Sequence, residues 1–253
     1  MKKLQYFQSY RIGADFALSE MQLRQIISCL NQPLRNAGVN LGGRAAVCAT
    51  DLSGVGPVVI KRYTRGGVIR RFNKKTYLRI GKTRGQSEYE LLMELKRLGV
   101  NAPDPVAFAF KGSIFYQAWI ITREIKDTQT LSSLSLSNPV QTRQVMRQLG
   151  DQVQRLIDNH IHHVDLHPGN VLVGRSGSIH LIDFDKAKTI ATSAEELKTK
   201  YIRRWQRDWA HEVNRDPVYH ELASVGAFSH VGLEWHTGSF DPAQHPHGYT
   251  SGA

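Results

Sequence analysis

Cysteine is scarce in this chain, where only Cys29 and Cys48 occur among 253 residues. Two cysteines cannot build the disulfide framework of a small secreted protein, and none of the Cys and His spacings of structural zinc sites is present. This scarcity excludes the disulfide-rich and zinc-finger classes. It predicts a protein of a reducing, cytoplasmic compartment.

Long apolar runs are also missing. The longest mainly apolar stretch, Ile114 to Thr122, is half of the roughly 20 residues that a membrane-spanning helix needs. The N-terminus has the basic start of a signal peptide but no apolar segment after it. The sequence therefore predicts neither a protein secreted by that route nor an integral membrane protein. It also shows no repeat of the kind that builds a solenoid.

Acidic residues are few relative to basic ones. The 33 Lys and Arg exceed the 22 Asp and Glu, so the net charge is +11. Most of this excess lies in one basic segment, residues 61–84, which contains no Asp or Glu. Its basic residues are Lys61, Arg62, Arg65, Arg70, Arg71, Lys74, Lys75, Arg79, Lys82 and Arg84. The segment predicts an anionic partner, whether nucleic acid, an acidic lipid surface or a phosphorylated substrate, although a solvated loop without a partner has the same composition.

The first half of the chain has the pattern of two β-hairpins with a helix between them. An earlier helix is predicted by a capping box at Ser19 to Gln22. The predicted elements are a helix from Ser19 to about Pro33, strands at 44–52 and 57–63, a helix at 86–98, and strands at 106–110 and 114–125.

The second half is predicted to be mainly helical around one short hairpin. Its longest helix follows Asn138-Pro139, a cap with proline at the first helical position. The predicted elements are a loop at 126–137, a helix from Asn138 to about His160, strands at 171–173 and 179–182, a helix from Ser193, and a loose tail at 224–253.

Asp165, Asn170 and Asp183 have the residue types and spacing of a phosphotransferase site. His163-Val-Asp165-Leu followed by Asn170 matches the H-x-D-L-x-x-x-N catalytic loop, and Asp183-Phe-Asp185 stands in the position of the D-F-G motif. Phosphoryl transfer needs a carboxylate to accept the proton of the acceptor hydroxyl, and hard oxygen ligands for Mg²⁺. Asp165 is therefore the candidate base, and Asn170 and Asp183 are the candidate metal ligands.

The same loop carries a histidine cluster that competes with this interpretation. Its members are His160, His162, His163 and His167. A zinc site needs a defined set of three or four ligands with supporting partners, whereas this loop offers interchangeable choices and no cysteine. The phosphotransferase interpretation uses more of the residues, and we prefer it.

Lys61 is the candidate cation for nucleotide phosphates. It ends the predicted strand Val58-Val-Ile-Lys61, which matches the V-A-I-K pattern, and its usual partner is a glutamate on the following helix. Glu88 lies on the face of that helix that carries the leucines, whereas Glu90 shares its face with Glu94. Glu88 is therefore the predicted partner, and Glu90 is the alternative.

Gly42 and Gly43 form the candidate loop over the phosphates. They lie just before the first predicted strand of the hairpin, where backbone amides could approach a nucleotide. The full G-x-G-x-x-G run is absent, so an ordinary turn also explains the pair.

Together these residues resemble the protein-kinase-like superfamily and, within it, the bacterial lipopolysaccharide kinases, most closely the 3-deoxy-D-manno-octulosonic acid (Kdo) kinases. The resemblance runs from about Gly42 to Trp209. Its more specific segments are residues 63–67, 88–92, 99–103, 121–125, 163–166 and 181–186. Residues 121–125 resemble the hinge, which implies that Glu124 and Ile125 contact the nucleotide.

The resemblance implies a two-lobed α+β protein-kinase-like fold with a reduced C-terminal lobe. Residues 1–125 would form the N-terminal lobe, 126–223 the catalytic lobe and 224–253 the tail. It also implies ATP and Mg²⁺ as cofactors, and transfer to the 4-hydroxyl of Kdo on a lipid A precursor. The family acts as peripheral proteins at the cytoplasmic face of the inner membrane, which gives the basic segment an anionic surface to contact.

Length bears separately on the acceptor. Seventy residues follow Asp183, and they lack an A-P-E segment and the helical subdomain that holds a peptide in protein kinases. A small or lipid-borne acceptor is therefore favoured over a peptide.

Two other functions are open from the sequence. A heptose or other small-molecule kinase would use the same residues, and His167-Pro-Gly169 resembles small-molecule phosphotransferases, where the Kdo kinase loop often reads His-x-Asp-Leu-Asn. A catalytically silent kinase-like module could instead bind nucleic acid or a membrane through the basic segment. The joint presence of Lys61, Asp165, Asn170 and Asp183 argues against silence, so nucleic acid is not the expected partner. The oligomeric state is left open.

Overall fold

The computed structural model describes residues 3–32, 46–63, 77–78 and 81–213. Within these ranges the chain is α+β, with twelve strands and five α-helices. The strands are β1 Lys3–Phe7, β2 Tyr10–Ala14, β3 Ala46–Leu52, β4 Gly56–Arg62, β5 Tyr77–Leu78, β6 Pro105–Gly112, β7 Phe115–Arg123, β8 Thr128–Thr130, β9 Ile161–His162, β10 Val171–Gly174, β11 Ile179–Leu181 and β12 Lys188–Thr189. The helices are α1 Glu20–Asn31, α2 Arg84–Arg97, α3 Leu131–Ser137, α4 Pro139–Asp158 and α5 Ala194–Val213.

One seven-stranded antiparallel sheet contains the described strands that precede residue 124. Its order is β1-β2-β6-β7-β4-β3, and β5 pairs with the beginning of β7. The pairs β3–β4 and β6–β7 are the two predicted hairpins, which are therefore confirmed. Gly112 turns the second hairpin with a φ of 102°, and a Cβ there would lie 2.1 Å from the carbonyl oxygen of Phe115. Only glycine fits this turn without displacing the backbone.

Strands β1 and β2 extend this sheet and were not among the predicted elements. They pair with each other across a turn at Gln8, whose φ is 52°, and β2 pairs with β6 so that Ile12 lies opposite Ala109. β1 is largely exposed, and only β2 buries an apolar face. A half-exposed five-residue edge strand has too few apolar positions to give a clear alternating pattern.

The two faces of the sheet bind different helices. α1 packs its apolar stripe, including Ile26 and Leu30, against one face, where Ile60 of β4 is buried. α2 packs Leu92 and Leu95 against the other face, beside Phe108. Because side chains alternate along a strand, the residue after Ile60 points to the α2 face. This alternation places Lys61 on the side of the sheet that packs against α2.

The C-terminal half corrects one prediction, because residues 128–137 of the predicted loop at 126–137 have regular secondary structure. They form β8, which pairs with β10, and the helix α3. Thr130 caps α3 by accepting a hydrogen bond from the Ser133 amide, and Leu131 and Leu134 are buried at helical spacing. The sequence did not predict this helix because four of its seven residues are serine, which favours caps and turns over helix interiors. The predicted helices at α1, α2, α4 and α5 and the β10–β11 hairpin are confirmed.

A single apolar core joins the sheet to the helical half. It runs from α2 and the adjacent face of the sheet through α3, α4 and the β10–β11 hairpin to Leu197, Tyr201 and Trp205 of α5. A hydrogen bond also joins the two halves of the chain, since the Asn101 amide donates to Gln152 Oε1 of α4 at 2.6 Å. Among the helices of the described ranges, none is both long and apolar enough to cross a bilayer.

Candidate active site

A cleft of about 510 Å³ opens between the sheet and the β10–β11 hairpin. Its walls include Val59 and Ile120 from the sheet and Leu172 from the hairpin. The candidate residues that line it are Lys61, Glu88, Glu124, Ile125, Asn170 and Asp183. Asp165 lies next to this lining, since Asn170 Nδ2 donates to the Asp165 carbonyl at 2.9 Å. The fold thus brings residues separated by more than a hundred positions to one place.

Lys61 lies between two carboxylates. Its Nζ is 3.1 Å from Glu88 Oε1 and 2.9 Å from Asp183 Oδ1. Burial works to lower the pKa of Lys61, but the attraction of Glu88 and then of Asp183 outweighs it, so this pKa is raised above its ordinary value. Lys61 therefore stays a cation in the cleft.

Glu88 is buried at the α2 face that contacts the sheet, as predicted from its position among the leucines. Its second oxygen accepts a hydrogen bond from the Tyr63 hydroxyl. Burial raises the pKa of Glu88, although Lys61 and Tyr63 oppose this shift. Glu90 instead pairs with Lys82 at 2.5 Å on the outer side of α2. Of the two glutamates, Glu88 is therefore the one that pairs with Lys61.

Asp183 begins the turn that follows β11. Its φ of 66° and ψ of 57° place it in the left-handed region, which is uncommon for a residue with a side chain and is often found at functional sites. Burial works to raise the pKa of Asp183, but Lys61 outweighs it and the pKa is lowered. The carboxylate is therefore ionised and available to a cation at neutral pH.

A second ion pair anchors this turn to the start of α2. Arg84 Nε donates to Asp185 Oδ1 at 2.9 Å, and the Arg84 guanidinium lies over the rings of Tyr63 and Tyr77. The backbone of α2 comes close to β7 here, because a Cβ on Gly85 would lie 2.5 Å from the Trp119 carbonyl oxygen. Helix α2, Lys61 and the Asp183 turn are thus held in one arrangement.

Asp165 contacts two cations. Lys186 Nζ is 2.7 Å from its Oδ2, and Arg204 Nε is 4.0 Å from its Oδ1. Burial works to raise the pKa of Asp165, but the hydrogen bond from Lys186 and the nearby charges outweigh it and lower the pKa. Asp165 is therefore an ionised, partly exposed carboxylate able to accept a proton.

The four histidines of this loop point to different partners. His160 Nδ1 lies 3.0 Å from the Thr192 carbonyl, and His162 packs edge-on against Tyr201. His163 Nε2 donates to the Ile182 carbonyl at 2.9 Å, and His167 Nδ1 accepts the Gly169 amide. These contacts describe structural histidines that shape the loop around Asp165.

Known proteins match the chain over this same region. The family model of the lipopolysaccharide kinase (Kdo/WaaP) family matches residues 43–229, which is more than half of the chain. This chain belongs to the lipopolysaccharide kinase (Kdo/WaaP) family.

Three curated relatives of this chain are named 3-deoxy-D-manno-octulosonic acid kinase. The Xylella fastidiosa protein is 30% identical over 193 residues, covering 74% of this chain and 76% of that protein. The Haemophilus influenzae (strain 86-028NP) protein is 32% identical over 164 residues, covering 62% and 67%. The Vibrio cholerae protein is 26% identical over 173 residues, covering 67% and 72%.

Several residues of the candidate site were not assigned a role by sequence reasoning. They are Tyr63, Arg84, Asp185, Lys186 and Arg204. Asp185 and Lys186 directly follow the Asp183-Phe184 motif, which was an available signal. Nothing in the local sequence marks Arg204, because its contact with Asp165 depends on how α5 docks against the catalytic loop.

Two predicted parts of this kinase site lie outside the described residues. One is the glycine pair Gly42 and Gly43, and the other is most of the basic segment, including residues 64–76. The predicted tail at 224–253 also lies outside them.

Exchanging each glutamate of α2 for glutamine should separate their roles in this lipopolysaccharide kinase. Glu88→Gln is expected to lower kcat/KM for ATP by about 10- to 100-fold, because it removes a buried charge-assisted hydrogen bond to Lys61. Glu90→Gln is the matched control, and its effect should stay below about threefold. Steady-state kinetics with varied ATP measure both. A larger effect from Glu90→Gln would contradict the geometry.

His163 should make the stability of this kinase sensitive to acid. Burial lowers its pKa from 6.5 to about 4, and among the described residues its Nδ1 has no hydrogen-bond partner. The unfolded chain therefore binds a proton at a higher pH than the folded one, and about 3 kcal/mol of stability should disappear as pH falls from 6.5 to 4. Urea unfolding at several pH values should show a weaker acid loss for His163→Gln than for wild type. His160→Asn, on the exposed histidine, should keep the full loss.

Proposed function

We propose that this chain is an ATP-dependent kinase that phosphorylates the 4-hydroxyl of a Kdo residue on a lipid A precursor, in the synthesis of the lipopolysaccharide core. The observation that carries the proposal is the convergence of Lys61, Glu88 and Asp183 in one cleft, beside Asp165. The names of the curated relatives support Kdo as the acceptor.

The nucleotide is proposed to lie along the cleft with its base at Glu124 and Ile125. The Glu124 amide already donates to the Pro57 carbonyl at 3.0 Å, so this group is occupied. The Glu124 carbonyl and the Ile125 amide belong to one trans peptide and point in opposite directions, so only one of them can face the adenine. The Ile125 amide is the proposed partner of the adenine, and Glu124 lines the cleft beside it. Lys61, at the other end of the lining, would bind the phosphates as a fixed cation. Gly42 and Gly43 are proposed to cover these phosphates.

Asn170 and Asp183 fit a magnesium site by their chemistry and orientation. Asn170 donates its Nδ2 to the Asp165 carbonyl, so its Oδ1 is the group left for a cation. Asp183 adds an ionised carboxylate that is 45% exposed. Hard oxygen donors of this kind suit Mg²⁺. Bound Mg²⁺ neutralises charge on the phosphates during transfer.

Asp165 is the proposed general base. Its carboxylate would accept the proton of the acceptor hydroxyl as the oxygen attacks the terminal phosphate, and its lowered pKa keeps it ready to do so at neutral pH. Lys61 holds the phosphates, and Glu88 with Tyr63 holds Lys61. Apart from this proton transfer, the proposed contribution of the protein is to position the reactants and to stabilise charge, and these two effects dominate enzymatic phosphoryl transfer.

We further propose the two-lobed division of kinase-like proteins, with lobes at 1–125 and 126–223 and a tail at 224–253. It is supported by the end of β7 at Arg123 and by the position of residues 124–127 along the cleft. The cytoplasmic face of the inner membrane is the proposed location, with the protein bound peripherally.

A direct assay tests the proposed function. Purified protein is incubated with labelled ATP and Mg²⁺ and with one of four acceptors: Kdo-bearing lipid A precursor, free Kdo, heptose or a generic peptide. Label is expected on the Kdo lipid. Preferred labelling of heptose would favour the small-molecule kinase alternative. No acceptor-dependent turnover would favour a catalytically silent binding module.

The basic segment is proposed to bind the anionic membrane surface. Replacing Arg70, Arg71, Lys74 and Lys75 together by Gln should weaken binding to acidic vesicles by up to about 4 kcal/mol, at about 1 kcal/mol per basic residue. Turnover of vesicle-borne Kdo lipid should fall, while the background ATPase rate should stay constant. Vesicle sedimentation and kinetics at low ionic strength measure these effects. Unchanged lipid turnover in the quadruple variant would refute the membrane role.

A further inference from the structure

Two cations of different origin meet at the proposed base. Lys186 comes from the turn after Asp183, and Arg204 comes from α5. Both approach the side-chain oxygens of Asp165, at 2.7 Å and 4.0 Å respectively. The transfer described above uses neither of them, because Lys61 is the cation assigned to the nucleotide.

Two cations this close to one carboxylate are unfavourable for a general base. A cation at hydrogen-bond distance lowers the proton affinity of a carboxylate, which weakens it as a base. Lys186, Arg204 and Asp165 together also carry a net positive charge, beside the place where the acceptor hydroxyl must reach Asp165. That surplus suits an acceptor that carries its own negative charge close to the reacting hydroxyl.

The two cations differ in exposure in a way that fits binding. The Lys186 side chain is 60% exposed and can reach an incoming molecule, whereas the Arg204 side chain is 14% exposed. Arg204 is held in place because Tyr201, one turn earlier on α5, donates to the Ile161 carbonyl at 2.7 Å and accepts the His163 amide at 2.8 Å. A fixed guanidinium beside an exposed ammonium can bind a planar anionic group.

The proposed acceptor has such a group in the required place. Its name describes an acid with a deoxy carbon at position 3, so a single methylene separates the carbon that bears the carboxylate from the carbon that bears the 4-hydroxyl. When this hydroxyl donates to Asp165, the carboxylate must lie within a few bonds of it. We propose that Lys186 and Arg204 bind the carboxylate of the acceptor sugar and so select an acidic sugar over a neutral one. This inference rests on the proposed function and specifies the recognition made at the same site.

The test compares two acceptors: Kdo-bearing lipid A precursor and the same lipid with its Kdo carboxyl reduced to an alcohol. Wild type should lose about 10- to 100-fold in kcat/KM on the reduced acceptor, which cannot make a charge-assisted hydrogen bond. Lys186→Met and Arg204→Met should lose a similar factor on the native acceptor but should discriminate little between the two acceptors. The KM for ATP should be unchanged in all of them.

Matched controls lie next to each residue. Lys188→Met and Arg203→Met change exposed neighbours in the sequence, and both should behave as wild type with either acceptor. Lys186 is exposed, so its replacement should leave the unfolding temperature unchanged, and its result stands even if Arg204→Met is destabilised.

Each alternative outcome is distinct. Equal use of the two acceptors by wild type would overturn the carboxylate site and leave the kinase function intact. Equal losses on both acceptors in Lys186→Met would also overturn it, because the lysine would then only hold Asp165. A raised KM for ATP would assign the cations to the nucleotide and overturn it as well. If wild type phosphorylates neither acceptor, the proposed function itself fails, and the carboxylate site fails with it.

Discussion

Replacing Asp165 by asparagine is expected to lower the rate of phosphoryl transfer by about 10²- to 10⁴-fold while the affinity for ATP changes little. The asparagine side chain has nearly the same size but cannot take the proton of the acceptor hydroxyl. The backbone carbonyl of Asp165 accepts the hydrogen bond from Asn170 Nδ2 in the lining of the cleft, and this contact survives the change. Single-turnover kinetics should therefore show slow transfer from a normally bound nucleotide.

Asp151→Asn is the control for the Asp165 experiment. Asp151 is an exposed residue of α4, so the same change there removes a carboxylate without touching the cleft. It should react at the wild-type rate. Wild-type turnover by Asp165→Asn would show that another group accepts the proton.

Replacing Lys61 by methionine is expected to reduce both activity and stability. Lys61 is the shared partner of Glu88 and Asp183, so its loss leaves a buried carboxylate without its cation. Breaking a largely buried pair by removing one partner costs about 3 to 5 kcal/mol, less where the exposed carboxylate is screened or the buried one takes up a proton. Loss of the cation proposed to stabilise the transferred phosphate should lower kcat by about 10²- to 10³-fold.

A double variant separates the two effects of Lys61→Met. Adding Glu88→Gln removes the uncompensated buried charge, so urea unfolding should recover much of the lost stability. Activity should not recover, because the cation proposed to bind the phosphates is still missing. Recovery of activity together with stability would show that Lys61 acts through folding alone and does not bind the nucleotide.

Patterns within single helices, strands and loops were sufficient to predict those parts of the candidate site that lie within one such element. The position of Glu88 followed from the apolar face of α2, and the two hairpins followed from alternation and turn residues. The spacing of Asp165, Asn170 and Asp183 marked one catalytic loop and one hairpin, and the structure places all three around the cleft.

Contacts between distant elements could not be predicted in this way. Arg84 meets Asp185 because α2 packs against the turn after β11, and Arg204 meets Asp165 because Tyr201 docks α5 on the catalytic loop. The residue pattern within α2, within α5 or within either loop does not predict these two contacts. Helix α3 was missed for a different reason, since its serine-rich sequence has weak helix propensity and its two buried leucines become informative only once the neighbouring core is known.

The apolar core that crosses from the sheet into the helical half has a consequence for how the protein unfolds. Phe108 of β6, Leu149 of α4 and Trp205 of α5 belong to the same buried cluster, so separating the halves would expose apolar surface on both sides. Elements that share buried surface in this way tend to melt in a single cooperative transition. Heat or denaturant should therefore unfold the sheet side of the cleft and the loop that contains Asp165 together, with no stage at which one half retains its structure alone.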